Sequence, residues 1–299
     1  MRHNKQIPFI QFSRFFLIFS GIIFSISIFL LVFTGIKTSI DFQGGTIINV
    51  SISSDKHDLG FLRKELSSKL QKSVSVVELQ SSDIMHSLII TTEYLSDEGD
   101  LSDILKQIYN DEYTIIGIES IGPKIGNELS KNARNAVIVS LLLIGLYITI
   151  RFDLSYSIGS IIALMHDLII TLGIFIIIDY EISIAIIAAL LTIVGYSLND
   201  TIVIYDRIRE NILSNPHREK KQNINESLNQ TLNRTLITSI TTLIVVIVLF
   251  IYGGNVLQPF AFTLIIGVIL GTYSSLFIAS PVMLWLDDKI NIDTEKEDI

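Results

Sequence analysis

From residue 235 to residue 286 the chain has no charged side chain, and Gly253, Gly254, Asn255 and Pro259 divide that run in two. Four more stretches are nearly as apolar. Residues 15–36 and 135–150 carry no charge, 154–178 holds only Asp167 and the weaker His166, and 182–205 holds only Asp200. About 20 apolar residues cross the roughly 30 Å hydrocarbon core of a bilayer. The pattern predicts six transmembrane helices, near 15–35, 133–150, 156–178, 182–205, 236–252 and 260–285. Composition agrees: 17% of residues are charged, where soluble domains carry about 25%.

Charge sets the orientation. Short cytoplasmic loops are enriched in Lys and Arg. Arg2, Lys5 and Arg14 precede the first helix, Arg151 follows the second, and Arg207, Arg209, Arg218, Lys220, Lys221 and Arg234 follow the fourth. The turns near 179–181 and 252–259 have neither residue type. Both termini are therefore expected in the cytoplasm: an N-terminus at 1–14, a loop at 206–235 and a disordered acidic tail at 286–299. The first helix, 15–36, is long and has no small-residue cleavage pattern after it, so it reads as an uncleaved anchor. The remaining membrane part is 133–285, and 37–132 lies outside. The absence of cysteine rules out disulfides, cysteine-ligated metals and a cysteine nucleophile. A net charge of -8 argues against a nucleic-acid partner.

The outer segment reads as a folded domain. Residues 46–53 are β-rich and alternate, with Ile47, Ile48, Val50 and Ile52 against Asn49, Ser51 and Ser53. Residues 58–72 place Leu59, Leu62, Leu66 and Leu70 at helical spacing. Strands are predicted at 74–79, 87–92 and 113–121, and a second helix at 97–109 starting from Asp97 or Asp100. The order β-α-β-β-α-β is that of a small α+β ferredoxin-like domain. His57 and His86 are isolated, and the domain shows no catalytic cluster.

Two carboxylates stand inside the apolar runs. An intramembrane charge costs at least about 2.5–3.5 kcal/mol at the helix centre, so each demands a reason. Asp200 lies seven residues before Arg207, roughly 10 Å inside at 1.5 Å per residue. Tyr196 and Ser197 lie one turn before it, and Asn199 adjoins it. A carboxyl that gains and loses a proton here would be a relay; a carboxylate paired permanently to a neighbouring helix would be structural. The same choice is open for Asp167, with His166 beside it. Arg234 and the hydroxyls of Thr235, Thr238 and Ser239 begin the fifth helix, where they could wet a path or join helices. Gly267 and Gly271 form a Gly-x-x-x-Gly helix-packing pattern. Gly44 and Gly45 follow the first helix and read as a tight turn and a pliable joint.

Several strings carry a family resemblance. They are Asp41-Phe42-Gln43-Gly44-Gly45-Thr46, the string 121–129 that opens Ile121-Gly122-Pro123-Lys124-Ile125-Gly126, Met165-His166-Asp167, the string 194–211 that opens Val194-Gly195-Tyr196-Ser197-Leu198-Asn199-Asp200-Thr201, Asn233-Arg234-Thr235, Thr238-Ser239-Ile240-Thr241-Thr242, Gly267-Val268-Ile269-Leu270-Gly271-Thr272-Tyr273-Ser274-Ser275, and Ala279-Ser280-Pro281. Together they resemble the SecD/SecF family of the resistance-nodulation-division superfamily, on its SecF branch, since a SecD-like chain has a larger outer region. The resemblance implies a polytopic α-helical protein of the bacterial cytoplasmic (inner) membrane that is no enzyme and needs no metal, cofactor or nucleotide. It implies a SecD-like partner, work with the SecYEG translocon and the SecA motor, and use of the proton-motive force to promote late translocation of exported polypeptides. Asp200 and Asp167 would be its proton-relay residues, surrounded by membrane lipid. Two other readings remain: a stand-alone proton-coupled small-molecule transporter, and a scaffold subunit that transports nothing.

Overall fold

The computed structural model describes residues 6–52, 58–81, 86–95, 99–109 and 113–297; His57 and Asp97 lie outside them. The chain divides into two compact units, one of residues 38–134 and one of residues 1–37 with 135–299.

The unit of residues 38–134 holds α2 (Ile40–Gln43), β1 (Gly45–Ile52), α3 (Leu59–Leu70), β2 (Val74–Ser81), β3 (His86–Thr92), α4 (Gly99–Tyr109) and β4 (Tyr113–Ile121). The strands form one antiparallel sheet in the order β2-β3-β1-β4, as a split βαβ arrangement requires. Alternation decides which face is covered. Ile48, Val50 and Ile52 of β1, Val74 and Val76 of β2, and Leu88 and Ile90 of β3 meet Leu62 and Leu66 of α3 and Leu105 of α4 in one core. Asp58 caps α3 by accepting from the backbone N–H groups of Gly60 (2.8 Å) and Phe61 (3.2 Å). Gly44 has φ +78°, which favours glycine. A Cβ on Gly45 would stand 2.6 Å from Ile40 Cγ2, and one on Gly44 2.8 Å from Pro123 Cα. Packing alone thus asks for glycine at both positions.

Among the described residues, the second unit contains six helices long and apolar enough to cross a membrane: α1 (Phe9–Phe33), α5 (Pro123–Arg151), α6 (Leu154–Ile177), α7 (Ile184–Ser214), α8 (Lys220–Tyr252) and the span Leu257–Lys289. The first residues of α5 belong to the unit of residues 38–134. The last span comprises α9 (Gly254–Ser274), a π-helical turn at Ser275–Ala279 and the start of α10 (Ser280–Glu297). Gly254, with φ +66°, turns the chain between α8 and α9.

Most helices outrun their apolar stretches. The expected loop 206–235 shrinks to residues 215–219, with α7 and α8 supplying the rest. Hydropathy marks the part of a helix that faces lipid, whereas backbone hydrogen bonding continues into polar sequence. Asn211 Nδ2 donates to Ser227 Oγ (2.7 Å) and Gln230 Oε1 (3.0 Å), tying the two polar extensions. Asn229 forms a two-bond amide pair with the backbone of Ile7 (2.8 and 2.9 Å), which fixes the start of α1. The tail expected to be disordered is helical to Glu297 as the continuation of α10.

Candidate functional site

The predicted polar residues separate into two groups, both in the membrane unit. Asp200 sits on α7, is 3% exposed, and its Oδ2 finds no hydrogen-bond partner within the described chain. Two residues of α8, Thr238 and Arg234, lie near this carboxyl, and the Thr238 hydroxyl itself donates to the carbonyls of Thr235 (2.9 Å) and Arg234 (3.1 Å). They meet because α7 and α8 run side by side after the short turn at 215–219. The register fixed by Asn211–Ser227 and Arg207–Gln230 carries down to Asp200 and Thr238. The hydroxyls of Tyr196 and Thr235 are also buried without a partner among the described residues. Asn199 is exposed on the outer side of α7.

A cavity of ≈ 760 Å³ lies at the end of this seam, lined by Val203, Asp206, Arg207, Gln230, Thr231 and Arg234 among others. Val203 is one turn from Asp200, so a polar, open space approaches the carboxyl from the Arg207 end. Unpaired buried polar atoms are costly unless something polar reaches them.

The second group centres on Asp167, which is 1% exposed. Its Oδ2 accepts from Ser197 Oγ (2.9 Å) on α7 and Ser274 Oγ (2.7 Å) on α9. Its Oδ1 pairs with His166 Nδ1 at 3.0 Å. The two side chains therefore meet, although adjacent residues on a helix diverge by about 100°. Three helices converge on one carboxylate. Ser274 is not among the candidate site residues read from sequence, although it lies in the 267–275 string that carries the family resemblance.

The other candidates are packing residues by geometry. Ser239 Oγ meets Thr272 Oγ1 at 2.6 Å, joining α8 to α9. A Cβ on Gly267 would fall 2.1 Å from Ile193 Cδ1, and one on Gly271 2.8 Å from Ser197 Cβ. Both glycines are filled by α7 of the same chain. The Gly-x-x-x-Gly pattern therefore packs α9 against α7 within the chain.

Known proteins agree with this architecture. Residues 100–289 match the family of the protein export membrane protein SecD/SecF, C-terminal region. The chain is 37% identical over 295 residues to the protein translocase subunit SecF of Desulfurispirillum indicum, covering 93% of this chain and 91% of that one. It is 38% identical over 286 residues to SecF of Calditerrivibrio nitroreducens, covering 94% of each. Among solved structures it resembles SecDF, a translocon-associated membrane protein of Thermus thermophilus, with a TM-score of 0.86 and 34% identity over 96% of this chain. It spans only 40% of that longer polypeptide. A super-membrane-facing form of SecDF gives a TM-score of 0.73 at 35% identity, over 98% of this chain and 40% of the other.

Proposed function

The chain belongs to the SecD/SecF family of protein-export membrane proteins, and from that membership we propose that it is the SecF-type subunit of a Sec export machine that couples an ion gradient to late translocation. Asp200 carries the proposal: a buried carboxyl with one unpartnered oxygen, beside Thr238 and Arg234 and one turn from an open polar cavity. In a low-dielectric interior the neutral acid and the carboxylate favour different neighbours. Uptake and loss of a proton by Asp200 would therefore bias two arrangements of α7 against α8. A membrane potential supplies about 2.3 kcal/mol per elementary charge per 100 mV, enough to repopulate states a few kcal/mol apart.

The same reading includes a partner. Along α7, Ala188, Thr192, Gly195 and Asn199 are exposed, a polar and small-residue stripe on a membrane helix. Such a stripe suits another helix better than lipid. We assign it to a SecD-type subunit, with the SecYEG translocon, the SecA motor and the exported polypeptide met through the complex. The termini are cytoplasmic, the outer unit is extracytoplasmic, and the membrane is the bacterial inner membrane. Gly44 and Gly45 would pass movement to the outer unit. The chain acts as a transport subunit and makes or breaks no covalent bond.

Reconstitution tests this. SecYEG-containing vesicles given SecA, a preprotein and a proton gradient should translocate faster when this chain and its SecD partner are both present. Equal rates with the partner alone would refute the role. A scaffold would support translocation equally with and without the gradient.

A further inference from the structure

We propose that the cavity between the ends of α5, α7 and α8 binds the phosphate group of an anionic phospholipid. Its volume is ≈ 760 Å³, within the range of about 300–1,000 Å³ usual for small-ligand sites. Four guanidinium groups line it: Arg151 at the end of α5, Arg207 and Arg209 on α7, and Arg234 on α8. Two carboxylates, Asp206 and Glu210, face the same space. The lining therefore carries two positive charges in excess.

The contacts place that excess. Arg151 Nη2 pairs with Asp206 Oδ1 at 3.2 Å, and Arg207 Nη1 with Glu210 Oε2 at 2.5 Å. Arg209 and Arg234 form no ion pair among the described residues. Arg209 Nη1 donates to the Arg151 carbonyl at a long 3.4 Å, and Arg234 lies near Asp200 without pairing to it. Both side chains are exposed. A guanidinium presents its N–H donors in a planar fork that matches two oxygens of a phosphate. Two such forks without a counter-ion, on one cavity, suit an oxyanion with several acceptor oxygens.

The position of the cavity names the source of that oxyanion. The uncharged run 135–150 ends at Arg151, the run 182–205 ends at Asp206 and Arg207, and the uncharged run 235–286 begins just after Arg234. All three helices leave the hydrocarbon at the level of the cavity, where a bilayer holds its headgroups. On the apolar side of these arginines, Tyr147 and Ile150 of α5 and Leu236 and Ile237 of α8 are exposed. They give acyl chains a surface beside the charged one, from which a soluble phosphate gains nothing. Basic pockets between membrane helices at this level bind anionic lipid headgroups. Orientation by charge needs arginines on one side of the membrane, but it does not need three helices to turn them into one cavity. The site stands whether or not Asp200 couples a gradient to export.

The test uses this chain with its SecD-type partner in phosphatidylcholine nanodiscs that contain a minor fraction of phosphatidylglycerol. Native mass spectrometry counts the lipid that stays bound, and a phosphatidylglycerol with a photoreactive headgroup maps where it sits. Phosphatidylglycerol should be retained in preference to phosphatidylcholine and should label the end of α5 or the 203–213 and 230–234 segments. Arg151→Gln with Arg209→Gln should lower its affinity about tenfold or more, as loss of charge-assisted hydrogen bonds requires. Lys124→Gln with Lys131→Gln removes the same charge from the other end of α5 and should leave the affinity unchanged. Equal retention of the two lipids, an unchanged affinity in the arginine variant, or an equal loss in the lysine variant overturns the proposal. Inorganic phosphate at matched ionic strength should leave the lipid bound; displacement by it would assign the cavity to a soluble phosphate and overturn the lipid. If the double arginine variant fails to assemble, Arg209→Gln alone serves, because that side chain is exposed and makes one long hydrogen bond. It should weaken retention to a smaller extent, and unchanged retention again overturns the proposal.

Discussion

At the scale of single residues, two glycines on facing helices have opposite surroundings. Gly267 has no room for a side chain, because a Cβ there would overlap Ile193 at 2.1 Å, whereas Gly195 has open space around it. Overpacking costs about 1–3 kcal/mol and sometimes more. Gly267→Leu should therefore lower the thermal midpoint of the purified complex. Gly195→Leu should leave this chain's own midpoint unchanged and reduce the amount of SecD-type partner that copurifies. A lowered midpoint for Gly195→Leu with full copurification would remove the partner from that face. Sequence alone reveals that Gly267 and Gly271 are packed, but a Gly-x-x-x-Gly pattern does not say against what. Asp200 was readable because it is a single charge in an apolar run. The Asp167 cluster was only half readable, since Ser197 and Ser274 lie 30 and 107 residues away in sequence.

Among the elements, the outer strands and helices were readable nearly to their ends, since alternation and leucine spacing persist through each. The membrane helices were readable in number but not in length. Their polar ends at 206–214 and 220–235 look like loop in a hydropathy trace, yet Asn211, Ser227, Gln230 and Asn229 knit them into the bundle. The Asn229 pair with Ile7 gives this a measurable consequence. Each such bond has a net value of about 0.5–1.5 kcal/mol. Asn229→Leu removes two and should speed amide hydrogen exchange at the start of α1, over residues 7–12, about tenfold or more. Unchanged exchange there would mean that packing of Phe9, which is buried in the membrane core, holds the helix start by itself.

The whole molecule has a membrane unit that holds both carboxylates and a second unit, residues 38–134, with its own core. Topology is open to direct labelling, because the chain has no cysteine of its own. A cysteine at Thr114, exposed on β4, should react with an impermeant reagent in intact cells. One at Ser214, exposed at the end of α7, should react only after the membrane is opened. The reverse pattern would invert the orientation and place the arginine-lined cavity on the wrong side for the proposed ion path. The central claim is that titration of Asp200 couples the gradient to export. Its most direct measurement is the preprotein translocation rate in reconstituted vesicles as a function of an imposed proton gradient, for the native complex and for Asp200→Asn. Asn keeps the size and hydrogen bonding of the side chain but cannot ionise. The account predicts a rate that rises with the gradient in the native complex and a flat response in the variant, with equal partner content and equal gradient-free rates. A variant whose rate still rises with the gradient as steeply as the native complex would contradict it.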